Sequence, residues 1–139
     1  MDYLPGTDYK HAIECEVSMP DEICVNERDN IIEVVYAGIL TRQDIESTRT
    51  KFQGILAEKS IDSIFVDMTR LESAPSIFDI FEIISSIPAG LKIAMLITPS
   101  SPIIREVTFA ETVGRNRGTT IKICLDQNEA RQWLGAFKD

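Results

Sequence analysis

The chain has 139 residues, 44% of them apolar and 26% charged, which is the size and balance of a single globular domain able to bury a core without metal or disulfide support. Its net charge is −8, with 12 acidic against 6 basic residues in positions 1–60, so a general binder of nucleic-acid backbone is excluded as the leading reading. No apolar run approaches the roughly 18 residues of a membrane span, and the opening MDYLPGTDYKH lacks the charged-then-apolar order of a secretory signal, so a cytoplasmic location is expected.

Residues 1–11 show no periodicity and read as a loosely ordered arm ahead of one domain, 12–139. His11 is the only histidine, and no second histidine makes it a metal or triad candidate. The three cysteines, Cys15, Cys24 and Cys124, form no CxxC pair, and Cys15 and Cys24 fall in strand-like stretches, so they read as small buried hydrophobes. Ala12 to Ser18 alternates apolar and polar residues, Ile23-Cys24-Val25 is a second short strand, and Glu27 to Asn30 is a turn into a third strand, Ile31 to Ala37. These strands form an antiparallel meander.

After Gly38 the period changes. Thr41 with Asp44 approximates a capping box, and Ile45, Phe52, Ile55 and Leu56 recur at helical spacing to about Lys59, opposite a solvated face of Arg42, Glu46, Arg49, Lys51 and Glu58. Gly54 interrupts this helix, and close packing against a neighbour is one reason a glycine would stand there. Ser63 to Asp67 is a buried strand; Arg70 to Pro75 reads as a loop; and a helix runs from Ser76 to Ile87, with Ser76 and Asp79 again at capping spacing. Leu91 to Thr98 is a strand covered on both faces. Ser101 with Pro102 opens a helix whose stripe is Ile103, Val107, Ala110 and Val113, ending near Gly118. Thr119 to Leu125 is the last strand, and Asp126 with Glu129 caps a final helix that docks through Ala130, Trp133, Leu134 and Phe137. From residue 31 the order is β-α-β-α-β-α-β-α, so the expected fold is an α/β domain with a mixed sheet, N-terminal strands antiparallel and helices flanking.

The helix from Ser76 carries the strongest functional signal. Ile77, Ile80, Phe81, Ile83, Ile84 and Ile87 fill one broad face, while Phe78 lies outside it. Three readings stay open: a wide core face with one exposed aromatic, a partner contact made by Phe78 with neighbours such as Ile83, or a helix lining a pocket for an apolar, lipid-like ligand. Asp67 and Thr69 stand at the strand end where α/β proteins bind ligands and partners, and Asp67 would hold the loop by accepting backbone N–H groups. Ser76 serves as a helix cap or as a phosphorylation site. Asp67 with Glu72 or Asp79 has no organised base to serve, and P-loop, GxGxxG, HExxH and GxSxG motifs do not occur. A non-catalytic protein with no cofactor and no metal is therefore expected. Arg105, Arg115, Arg117 and Lys122 read as a solvated rim.

Scattered over residues 31–137, the chain resembles the SpoIIAA-like family, a branch of the STAS fold of anti-sigma-factor antagonists. The likeness rests on Ile31-Ile32-Glu33-Val34 leading to Gly38-Ile39-Leu40-Thr41, on Ile64-Phe65-Val66-Asp67-Met68-Thr69, on Lys92-Ile93-Ala94-Met95-Leu96, and on Asp126, Glu129, Ala130, Trp133 and Leu134. The resemblance implies a compact sheet flanked by helices and a non-catalytic role in protein–protein or ligand-dependent regulation. Together with the helix from Ser76, it leads to the expectation of a module that binds a protein partner through residues 67–87, as a homodimer, with a carrier of a small apolar ligand under the same helix as the alternative. In antagonists of the wider group a D-S-x-G-L motif carries a phosphorylated serine or threonine at a helix start. Its counterpart here is Pro75-Ser76-Ile77-Phe78-Asp79, which keeps the hydroxyl but has proline in place of the acid and Phe78 in place of the glycine.

Overall fold

The computed structural model describes residues 13–18, 21–26 and 30–135; the N-terminal arm, His11 and Phe137 lie outside them. The strands are β1 (Ile13–Ser18), β2 (Asp21–Asn26), β3 (Ile31–Ile39), β4 (Ser63–Ser73), β5 (Lys92–Leu96) and β6 (Thr120–Cys124). The helices are α1 (Arg42–Glu58), α2 (Ile77–Ser85), α3 (Ile104–Asn116) and α4 (Gln127–Leu134). One sheet runs in the order β1-β2-β3-β4-β5-β6. β3 to β6 are all parallel, each joined to the next by a helix, and β1 and β2 extend the β3 edge in antiparallel pairing.

Successive strand side chains point to opposite faces, so the buried strands supply two cores. Ile32, Val34, Ile64, Val66, Ile93 and Ile121 form the larger one, against α1, α2 and α3. Ile31, Phe65, Ala94, Leu96 and Cys124 form the smaller one, which Ala130, Trp133 and Leu134 of α4 close. On this second face Arg131 donates to both carboxylate oxygens of Glu33, at 2.7 and 3.0 Å, and lies 4.8 Å from the centre of the Phe65 ring. Lys92 Nζ donates to the Trp133 carbonyl at 2.8 Å and sits over its ring. Two cations thus replace what would be further apolar cover, keeping their stems on aromatic surface.

Several local expectations change. β4 continues through Ser73 where a loop from Arg70 was expected, because β3 also runs on: Arg70, Leu71 and Ser73 pair with Ala37, Gly38 and Ile39 across two register shifts. The alternating polar residues of this stretch disguise a strand whose Met68 and Leu71 are buried. α3 begins at Ile104, not at Pro102, and has no side-chain cap; the Ser101 hydroxyl instead accepts from the Ile103 N–H two residues on. In α4 the Asp126 carboxylate accepts from the Glu129 N–H at 2.9 Å, but the Glu129 carboxylate turns to Lys122, so only half a capping box forms. Cys24 is disulfide-bonded and not a plain hydrophobe; Cys15 lies opposite it in the hairpin register, whereas Cys124 is a free, buried thiol.

The two helical glycines differ in kind. A Cβ at Gly54 would meet nothing within 4 Å, so close packing is not its reason. A Cβ at Gly114 would stand 2.6 Å from Ile121 Cδ1 and 3.1 Å from the Thr119 carbonyl oxygen, so a larger residue there forces Ile121 to shift and presses α3 away from β6. Gly54→Ala is expected to raise stability by up to about 1 kcal/mol and Gly114→Ala to lower it by about 1–3 kcal/mol. Urea unfolding midpoints of the two variants measure both signs; a stabilising Gly114→Ala would contradict the close approach.

Candidate functional site

α2 is positioned from both ends. The Ser76 hydroxyl accepts from the Asp79 N–H at 3.2 Å, satisfying one of the helix's orphan donors. The Asp79 carboxylate does not return the bond to complete a capping box; it pairs with Arg42 at 3.0 Å. Arg42, at the start of α1, also pairs with Glu46 at 2.8 Å and with Glu82. Its hydrogen bonds to Glu46, Glu82 and Asp79 hold its pKa above the ordinary arginine value. Near the other end, Arg49 of α1 donates to the Ser86 hydroxyl, which itself donates to the Ile83 carbonyl. The face of α1 expected to be solvated therefore clamps α2 through Arg42 and Arg49.

The side chains of α2 then divide. Ile80, Ile83 and Ile84 are buried and Ile87 is half-buried. Phe78 is 66% exposed and Phe81 40% exposed. Phe81 thus leaves the apolar face assigned to it and takes the Arg117 guanidinium over its ring at 5.4 Å, tying α2 to the end of α3. Ile83 moves the other way: it is not a surface neighbour of Phe78 but points into the interior. Ile77 and the exposed Ile104 line a shallow surface groove between α2 and α3, with Phe109 further along it.

Beneath α2 the larger core is incompletely filled. A cavity of about 150 Å³ lies between the sheet and helices α1, α2 and α3. Its wall is almost wholly apolar, built from Leu71, Ile80, Ile83, Ile84, Ile93 and Val107 among others. Three charged or amide side chains also line it: Arg49 and Gln53 from α1, and Glu106 from α3. One carboxylate oxygen of Glu106, Oε1, is buried and has no hydrogen-bond partner among the described residues. The sequence reading puts Arg49 on a solvated face and does not single out Gln53 or Glu106, yet a signal was present. Glu106 falls three residues after Ile103 and four before Ala110, and Arg49 four after Ile45 and three before Phe52, so each places a charge on an apolar helical stripe.

Asp67 and Thr69 form a separate local motif. Asp67 Oδ1 accepts from the Thr69 N–H at 2.9 Å and from the Thr69 hydroxyl at 2.7 Å. Both stand within β4, not at its end, and the bonds of Asp67 reach along the strand where the register with β3 shifts, not to α2. The four basic residues also disperse: Arg117 takes Phe81, Lys122 pairs with Glu129 at 3.8 Å, and Arg105 and Arg115 are exposed on α3. Among the described residues no group of three or more His, Cys, Asp or Glu side chains could hold a metal ion, and no helix is long and apolar enough to cross a membrane.

No protein-family model matches the sequence, and no curated protein matches it. Among solved structures the chain is similar to an uncharacterized protein of the DUF3478 family with a SpoIIAA-like fold from Shewanella loihica PV-4, at 18% identity and a TM-score of 0.55, over 88% of this chain and 92% of that one. It also aligns with the phosphorylated form of the Bacillus cell fate determinant SpoIIAA, at 16% identity and a TM-score of 0.45, over 88% of this chain and 99% of that one. The chain has the SpoIIAA-like fold.

Cys124 gives a direct check on the α4 side of the sheet. It is 1% exposed, and burial, followed by the Glu129 charge, pushes its thiol pKa up. A raised pKa leaves less thiolate at any given pH, so alkylation of Cys124 by iodoacetamide at pH 8 is expected to run at least about ten-fold slower in the native protein than in the urea-unfolded chain. Equal rates would mean that α4 does not cover the thiol.

Proposed function

We propose that the protein is a non-catalytic regulatory module that associates through the outer face of α2, with a second copy of itself as the occupant of that face. The observation that carries this reading is Phe78. Two-thirds of its surface is in water on a helix whose opposite side is packed, and among the described residues no cation sits over its ring as Arg117 does over Phe81. Phe81, Ile77 and Ile104 extend the apolar surface, and Arg105, Thr108 and Thr112 border it, the make-up of an apolar centre with a polar rim. A twofold arrangement lets one patch serve both partners. Ser76, exposed at the N-terminus of α2, is where a phosphate would add charge beside this face.

Sedimentation equilibrium tests the reading. The native chain is expected to dimerise, and Phe78→Ser to weaken the dimer by about ten-fold or more. Because Phe78 has little to lose on the folded side, its substitution is expected to change stability by no more than about 0.5 kcal/mol. A dimer indifferent to Phe78→Ser, or a native chain that stays monomeric, would overturn it.

The cavity favours a second reading, in which the protein binds a small apolar ligand beneath α2. An apolar wall with a few polar side chains is the usual make-up of such sites, and α2 would report occupancy to its outer face because Ile80, Ile83 and Ile84 line the cavity while Phe78 and Phe81 lie outside. Native mass spectrometry of protein purified without detergent is expected to resolve a low-mass adduct. The bare chain mass in every preparation would count against this reading.

A further inference from the structure

Resting on the ligand-binding reading just given, we propose that the cavity takes a compact, one-ring apolar molecule carrying a carboxylate, with the Arg49 guanidinium as the partner of that carboxylate. The size limit follows from the volume: about 150 Å³ is a space that, when lined by apolar side chains, takes in a molecule such as benzene. A long acyl chain does not fit such a space without displacing the helices.

The charge follows from Arg49. The cavity lining reaches the surface where α1 passes the end of α2: Gln53 and Pro88 are exposed there, and Arg49 and Ile87 are half-buried. Among the described residues of that lining Arg49 is the one cation. Two turns earlier on the same face of α1, Arg42 is matched by the carboxylates of Glu46, Asp79 and Glu82. Arg49 pairs with no carboxylate among the described residues; its Nη1 donates to the neutral Ser86 hydroxyl. That link uses one of five N–H donors and needs no charge. The positive charge and the rest of the planar fork are what the link leaves over, and a carboxylate engages both. Gln53, one turn further along α1, offers the same neutral amide to charged and uncharged heads, so it can hold a polar group but cannot select an anionic one. Glu106, the other charged residue on the lining, comes from α3, and its like charge disfavours a carboxylate on that side. The head therefore lies at the α1 mouth and the ring lies inward, among Ile80, Ile84 and Ile93.

Phenylacetate and phenylacetamide test this by isothermal titration calorimetry on the intact protein at neutral pH. They share ring and shape, and only phenylacetate is charged. The native protein is expected to bind phenylacetate about ten-fold more tightly, the margin of a hydrogen bond between charged groups. In Arg49→Met that preference is expected to vanish while phenylacetamide still binds, the retained binding showing that the variant is folded. Ser86→Ala breaks the same link to α2 but keeps the cation, and Gln53→Leu removes the neighbouring amide; both are expected to keep the preference. No preference in the native protein, a preference unchanged in Arg49→Met, or one lost in Ser86→Ala or Gln53→Leu would overturn the role of Arg49 and leave the ligand-binding reading standing. Binding of neither compound to the native protein would overturn both.

Discussion

Every strand from β3 to β6 buries side chains on both faces, and the covers on those faces are unequal. The period of two along each strand sends Ile32, Val34, Ile64, Val66 and Ile93 to one side and Ile31, Phe65, Ala94 and Leu96 to the other. One helix suffices for the second set, because small residues such as Ala94 and Ala130 let α4 lie close and because Arg131 and Lys92 finish the cover with their stems. Three helices lie over the first set. There α2, of only nine residues, lies between α1 and α3. The cavity is the consequence: the short helix reaches the sheet through Ile80, Ile83 and Ile84 but does not fill the space between its neighbours.

In both proposed readings α2 is the element on which function turns. Its attachment is asymmetric. Toward α1 it is held by polar links, Arg42 to Asp79 and Glu82 and Arg49 to Ser86; toward α3 it packs closely, with the Phe81–Arg117 contact at the edge. Ion pairs at partly exposed positions hold a helix less firmly than a packed apolar seam does. Motion of α2 as the cavity fills would therefore come at the α1 side. The exposed phenylalanines on its outer surface would move with it, which joins the interaction reading to the ligand reading through a single helix.

Much of this was legible in the residues. The alternation from Ile31 onward, the cap residues Thr41, Ser76 and Asp126, and the apolar stripe of α3 all placed elements correctly to within a few positions, because each is a local signal with its own chemistry. What was not legible has a common cause: it depends on a neighbour distant in sequence. Arg70 to Ser73 is a strand because β3 extends to meet it, not because its own pattern demands one. Ile83 and Phe81 sit four and three positions from Ile87 and Ile84 on the same wheel, yet one faces the cavity and the other water, a choice made by where α3 lies. Arg42 and Arg49 looked like solvated charges because their partners on α2 are some 37 to 40 residues away. Glu106 is a related case: its carboxylate on an apolar stripe was visible, and its place among the residues lining the cavity was not.

The central claim is that the larger core holds a real, accessible space bounded by the inner face of α2. Diffraction from a crystal pressurised with xenon tests it most directly, since xenon enters dry apolar cavities of this size. The account predicts xenon density ringed by Leu71, Ile80, Ile84 and Ile93. A core without xenon, with the side chains of α2 collapsed onto β4 and β5, would contradict it.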